Sequence, residues 1–345
     1  MINPYNNVNW STYLKVPSCS HEHDKSQPAF NKLVSGGLKH IALSNYHPPE
    51  PWYPLDSKFT IPTGAEVIGS PNAEFYSMSI ASLHANGLGS LYYEGEPAPT
   101  ATWKSKFLNI LNHMQYSDAG GITINHPAWT KWAGAGSANI LTNKAIMEML
   151  DFDNRVLGIE FFNTTCGKIV DSDWSLFDTT GKSWDLDTWD DILKTGRRCW
   201  GFCVADHDGE ILTDGYNWIG RNILLCDSSI MNTGTTAEKE HECLKAYREG
   251  RFYGSLKDTN LKFTEISING NTLTVSATDA TSLHIVVDGV YNTINSNSTT
   301  YTIPNYATYV RVEGHNDEDR IFSNPIIFKP FTKEDSTAKK MLLIG

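Results

Sequence analysis

Six of the eleven histidines in this 345-residue chain stand where an apolar run stops. His21 and His23 form a His-x-His pair in SCSHEHD; His47 ends KHIALSNYH, and His84 ends FYSMSIASLH. His126 closes GGITINHP, and His207 ends WGFCVADH directly after Asp206. Between them, Glu66 ends FTIPTGAE and Glu160 lies inside VLGIEFFN. Imidazoles and carboxylates delivered to the ends of successive strands are what a multinuclear metal site requires, because every ligand must point into one shared mouth. His-x-His on an extended segment puts both rings on one face, within reach of one ion. A single histidine of this kind is more often a satisfied or exposed side chain. The joint order predicts a metal site built from His21, His23, His47, Glu66, His84, His126, Asp206 and His207, with Glu66, Asp206 and His207 carrying the catalytic roles.

The elements that must position these residues follow from the hydrophobic pattern. From about residue 15 to 255 extended and helical patterns alternate. Ser26-Gln27-Pro28 opens a helix that Gly36-Gly37 closes, and a strand from Lys39 to Ser44 leads toward His47. Trp103, Phe107, Ile110, Leu111 and Met114 share one helical face before Gly120-Gly121, after which ITIN leads to His126. A helix over Asn143 to Leu150 precedes the strand VLGIEFF, and a helix around Trp189, Ile192 and Leu193 precedes WGFCVA. NILLC and a helix from about Ala237 to Glu249 follow. About seven strand–helix–strand units imply parallel pairing and a closed barrel, with the proposed ligands at the strand ends.

After residue 257 the texture changes. EISINGNTLTVSA alternates apolar and polar residues on both sides of Asn269-Gly270, and LHIVVDGVYNTI does so around Asp288-Gly289; both are hairpin signals. The expected organisation is a barrel over 1–257, a small antiparallel β-sandwich over 258–330 and a tail over 331–345. A packing role suits the sandwich best, with glycan or surface binding as its functional alternative.

Composition narrows the partners. A net charge of −11 argues against nucleic acid as the main partner, since a polyanion needs a basic surface, but leaves room for a small anionic substrate at a metal site. No apolar stretch reaches the roughly 18 residues of a membrane span, and MINPYNNVNW lacks the basic and apolar regions of a signal peptide, so a cytoplasmic location is favoured. The six cysteines are scattered, and Cys199 and Cys203 are not at zinc-knuckle spacing, so buried free thiols are expected.

In HPAWTKWAGAGS, after His126, Trp129 and Trp132 could stack on a substrate and Lys131 could meet an anionic group; simple packing of the loop is the alternative. Arg221 in WIGRNILL is a second anion-clamp candidate. The carboxylates of DSDWSLFDTTGKSWDLDTWDD lack the oxygen spacing of a calcium loop. His40, His113, His241, His284 and His315 fall outside the pattern and read as structural or exposed.

The same residues resemble the polymerase-and-histidinol-phosphatase (PHP) superfamily, and within it the carbaryl-hydrolase-related (CehA/McbA) metallohydrolases. NPYNNVNW before His-x-His, then GAE, HANGLG, GGITINHP, GIEFFN and VADHDG, follow in family order. KAYREGRFYGS resembles the last barrel helix, and YVRVEG and IFSNPIIF resemble a small terminal β-domain. The resemblance covers nearly the whole chain. It implies an α/β fold, a distorted seven-stranded (β/α) barrel holding two divalent ions, or three, of Mn, Zn or Fe, and hydrolysis by a metal-bridging hydroxide, commonly at phosphate esters. Three departures stand out. Ser26-Gln27-Pro28 replaces the usual Ser-Asp-Gly turn, leaving Asp24 as the nearby carboxylate. Asn45-Tyr46-His47 replaces an Asp-His. Asp206 and His207 are adjacent where the family has Asp-x-His, so a bend or bulge must bring both inward. These departures bear most on a third ion.

The sequence thus predicts a metal-dependent phosphoesterase acting on a small-molecule or glycan-linked anionic substrate. Hydrolysis of a carbamate, amide or ester carbonyl on the same site is the first alternative. A binding or structural module on a catalytically retired metal barrel is the second.

Overall fold

The nine-residue run Leu14–Glu22 forms β1, and its last seven residues are all buried. A strand covered on both faces reads as a near-continuous apolar and small-polar run, which is what a strand flanked on both edges needs. The computed structural model describes residues 1–23, 26–44, 52–77, 80–93, 102–127, 141–164, 185–206, 220–257 and 259–332. Helix α1 (Gln27–Ser35) starts as its sequence dictates: the Ser26 hydroxyl accepts from the Ala29 amide at 3.2 Å, and Pro28 occupies the first turn.

On one edge of β1, β2 (His40–Leu43) and then β3 (Ile68–Gly69) pair in parallel. On its other edge β9 (Arg221–Cys226) runs antiparallel, and β10 (Phe252–Ser255) is antiparallel to β9. This sheet does not stop there. It continues through β17 (Arg320–Ser323), β16 (Tyr309–His315), β13 (Ser282–Val287) and β14 (Val290–Ile294), with β18 (Ile326–Ile327) on β16, making ten strands. A second sheet orders β4 (Asn72–Ser77), β5 (Ile80–Leu88), β6 (Gly121–Ile124), β7 (Val156–Asn163) and β8 (Trp200–Val204). Its first three strands are antiparallel and its last three parallel. The third sheet is β11 (Lys262–Asn269), β12 (Thr272–Thr278) and β15 (Ser298–Thr302).

Helices α2 (Trp103–Asn112), α3 (Asn143–Leu150) and α4 (Leu186–Leu193) put their buried residues into the same core as β5, β6 and β7. Two more, α5 (Ser228–Thr233) and α6 (Thr236–Glu249), follow β9; α6 starts in a capping box at Thr235 and ends at the left-handed Gly250. Close strand approach demands glycine at one place above all. A Cβ on Gly158 of β7 would meet the Trp200 carbonyl oxygen of β8 at 1.9 Å.

The chain is therefore mostly β, with sheets of ten, five and three strands and six α-helices among the described residues. The α/β fold expected above, a distorted seven-stranded (β/α) barrel of the PHP type, is not seen. The physical reason is strand direction. NILLC adds to β1 antiparallel, RFYGS adds antiparallel to NILLC, and the segment around His84 is an antiparallel pair, β4 with β5, so uniform parallel crossovers never develop. Between the two larger sheets, an isolated bridge between Glu22 and Asp206 links the ends of β1 and β8.

The C-terminal strands are joined to the rest. Tyr309 and Phe322 enter the core that holds Phe161 and Trp189. Beneath them Arg311, fully buried, grips both oxygens of Asp190 on α4 at 2.8 and 2.9 Å.

Candidate metal centre

Strand alternation explains which residues reach the space between β1 and the five-stranded sheet. On β4, Ala73 and Phe75 enter the core while Glu74 faces the other way; on β5, Leu83 and Ala85 are core and His84 lies between them. On β6, Ile122 and Ile124 are core, and His126 lies just beyond the strand. From β1 come His21 and, one residue past the strand end, His23. From the end of β8 comes Asp206.

These side chains meet. His21 Nε2 lies 3.0 Å from His23 Nε2, and Glu74 Oε2 lies 3.0 Å from the first and 2.6 Å from the second. Asp206 Oδ1 approaches the same two nitrogens at 3.4 and 3.5 Å. The other Glu74 oxygen, Oε1, is 3.2 Å from His84 Nδ1, and Glu74, His84 and His126 form a second convergent set. The His84 and His126 rings are 4.9 Å apart, and His126 and His21 are 5.9 Å apart.

Whether this set suits a metal can be tested on its own atoms. Donors sharing one tetrahedral ion at about 2.1 Å sit roughly 3.4 Å apart; the separations around His21 and His23 run from 2.6 to 3.5 Å. Glu74 is fully buried, and its Oε2 lacks a hydrogen bond despite two nitrogens so close. Two imidazole nitrogens and a carboxylate oxygen converging on one point are a donor set that a cation can take up. Glu74, Glu160 and Asp206 are all at most 4% exposed, and buried carboxylates require positive charge nearby. The residues fit a metal ion: His21, His23 and Glu74 could hold one.

A supporting layer orients the ligands. Glu160 Oε1 lies 2.7 Å from His21 Nδ1, a partner that would keep a proton on that nitrogen once Nε2 takes an ion. Glu160 Oε2 accepts the His126 amide at 2.9 Å and the Asn163 amide group at 3.0 Å. Asn163 also donates to Asp206 Oδ2 at 3.2 Å. Below the cluster the Ser20 carbonyl accepts from Asn72 at 2.8 Å and Asn86 at 3.2 Å, pinning β4 and β5 to β1 one residue from His21.

Backbone strain gathers here too. Among the described residues, four other than glycine have positive φ; Asp279 and Asp288 lie in the C-terminal strand region, and the other two are His126 at 26° and Asp206 at 69°. Asp206 is held by its amide on the His21 carbonyl at 2.9 Å and by its own carbonyl on the His23 amide at 2.8 Å.

Charge follows from these neighbours. Burial opposes charging His21, but Glu74, Asp206 and Glu160 outweigh it and raise its pKa well above the ordinary value. Burial likewise opposes ionisation of Glu74, yet His21 and His23 hold its pKa well below the carboxylate range; His21 and His126 lower that of Asp206 despite its burial. Burial, then the like charge of His84, lowers His126 to about 4, leaving a neutral ring.

Of the sequence-predicted ligands, the structure brings together His21, His23, His84, His126 and Asp206. Glu66 is a correction: it is exposed in the loop before β3, lining a groove with Leu14 and Lys15 at the opposite end of β1. The carboxylate among the histidines is Glu74, whose signal was an acid alternating with Ala73 and Phe75 inside a strand. Arg221 is also placed differently from an anion clamp; it is 4% exposed, and its guanidinium donates to the Gly36 carbonyl at 2.8 Å, tying β9 to the end of α1. His47, His207, Lys131 and Trp129 lie outside the described residues, as does Cys166; the other five cysteines are buried thiols outside any disulfide among the described residues. His40 is fully buried between Ser18 and Ser70, at 2.7 and 2.9 Å.

Fold and site together define a mostly β protein with a buried histidine–carboxylate cluster able to hold a metal ion. Comparison with family models, curated proteins and solved structures finds no match for this chain. Among the described residues no helix is long and apolar enough to cross a membrane.

Proposed function

We propose that the chain is a metal-dependent hydrolase that uses two divalent ions of Mn, Zn or Fe and acts first on phosphate esters. One observation carries the reading: the two oxygens of Glu74 face different histidines, Oε2 toward His21 and His23 and Oε1 toward His84. A carboxylate so placed can bridge two ions, with His21, His23 and Asp206 on one side and His84 and His126 on the other. Ions held there would supply a water acidic enough to attack at neutral pH and would polarise the bond to be cleaved. The chain's own residues do the rest. Glu160 would hold the proton of an ion-bound His21 on Nδ1, and Asn163 couples Glu160 to Asp206. His84, with 16% of its side chain exposed, marks the side from which a substrate reaches the cluster. The order of the motifs around these residues, similar to the carbaryl-hydrolase-related enzymes, supports hydrolysis over simple metal storage.

The test is turnover of a chromogenic panel of phosphomonoesters, phosphodiesters and carboxylic esters by protein reconstituted with each metal. Phosphoester cleavage abolished by a chelator and restored by metal is the expected result. Cleavage of carboxylic esters alone would move the substrate class to carbonyl compounds. Tight metal binding with no turnover on any member would overturn the hydrolase reading.

A further inference from the structure

The C-terminal strands hold a second pair of histidines, apart from the metal centre. Residues directly opposite on antiparallel strands share a face of the sheet. By that register His284 of β13 faces the same side as Thr293 of β14 and Glu313 of β16, and Ser282 faces the same side as His315 of β16 and Arg320 of β17. Alternation along β13 and β16 puts all six on one face. Near Arg311 that face is covered by α4, through Asp190. Toward His315 it opens: Ser282, His284, His315 and Arg320 are only partly buried, and 17% of the His315 side chain is exposed. The rings of Phe322 and then Phe161 lie along the way from His315 to β7, so packed core separates this place from the cluster around Glu74.

His284 and His315 are diagonal neighbours, and their ring centroids are 4.1 Å apart at 35°. His315 Nε2 is 2.9 Å from Glu313 Oε2. A carboxylate only accepts, so that nitrogen carries a proton and the lone pair of the neutral ring is on Nδ1, which has no hydrogen bond among the described residues. His284 Nε2 is 3.3 Å from the Ser282 hydroxyl, and its Nδ1 is 3.1 Å from that of Thr293. Ser282 stands opposite His315, so His284 Nε2 points along the sheet toward the backbone end of the neighbouring ring, where Nδ1 is. Hydroxyls turn freely and can release either nitrogen. Two donors about 2.1 Å from one ion are roughly 3.4 Å apart, and rings stacked this closely bring two nitrogens near that spacing. Glu313 behind His315 is the carboxylate that orients a ligating imidazole, and Arg311 and Tyr291 hold it in turn. Arg320 also faces the pair, and Glu313 offsets its charge. Imidazole donors favour zinc or copper over calcium or magnesium. We propose that His284 and His315 form a separate metal site that takes one zinc or copper ion, with water completing its coordination.

The experiment uses the full chain. The cluster around Glu74 is first loaded with zinc and the protein gel-filtered. It is then brought to equilibrium dialysis against micromolar zinc, or in a second series copper, and bound metal is counted by elemental analysis before and after dialysis. An ion held by two side chains exchanges quickly, so gel filtration removes it and dialysis shows it. Expected is one further ion per chain in dialysis, bound more tightly as copper than as zinc. His284→Gln and His315→Gln should each lose that ion with far-UV circular dichroism unchanged, whereas Glu74→Gln and His241→Gln should keep it. No further ion in the wild type, its retention in both His284→Gln and His315→Gln, or its loss in Glu74→Gln or His241→Gln overturns the proposal. Each of those outcomes leaves the reading of the cluster around Glu74 to its own test.

Discussion

Glu160 holds His21 and His126 at once: one carboxylate oxygen is 2.7 Å from His21 Nδ1 and the other accepts the His126 amide at 2.9 Å. A single residue of β7 thereby sets a ring on β1 and the strained backbone beyond β6. Glu160→Gln keeps the shape but can offer only one acceptor oxygen. Metal affinity should fall by about 10- to 100-fold with the fold intact, as measured by competition with a chromogenic chelator. Unchanged affinity would mean that Glu160 merely fills space.

The two glutamates separate sequence expectation from structure. Glu74→Gln should remove most of the bound metal and the turnover with it, because its oxygens serve both histidine sets. Glu66→Gln should leave metal content unchanged. Elemental analysis of the two variants side by side checks this, and the reverse pattern would reinstate Glu66.

His40 gives a pH dependence independent of metal. Burial drives its pKa to about 3, against about 6.5 when unfolded. Below pH 6.5 the unfolded chain takes up a proton that the folded one refuses, so stability is full above that pH and declines toward pH 3. From pH 7 to 5 the loss from this residue is about 2 kcal/mol. Urea unfolding should show a steeper acid decline for the wild type than for His40→Gln; parallel curves would remove His40 as the cause.

The Arg311–Asp190 pair should make the C-terminal strands essential to stability. Asp190→Ala leaves a guanidinium buried without its bidentate partner and should cost about 3–5 kcal/mol, whereas Arg311→Met with Asp190→Leu should recover much of it. Denaturant midpoints decide the matter, and a loss below about 1 kcal/mol for Asp190→Ala would contradict it.

The candidate cluster was legible in sequence where its members sit at strand ends. His21, His23, His84, His126 and Asp206 each follow an apolar run, and Asp206 has a left-handed backbone. The Asn269-Gly270 hairpin is β11 paired antiparallel with β12. Glu74 was missed because it lies inside a strand, where an acid interrupts no pattern of runs. The barrel failed because hydrophobic patterning reveals strands but not their direction. Arg221 read as an anion clamp because sequence does not show that the Gly36 carbonyl is within its reach.

On the reading proposed above, Glu74 joins two histidine sets into one binuclear centre. The most direct measurement is metal stoichiometry by elemental analysis after growth and reconstitution with Mn, Zn and Fe. Two ions per wild-type chain, falling below one in Glu74→Gln, is the predicted result. Less than half an equivalent in the wild type, under every metal, would contradict it.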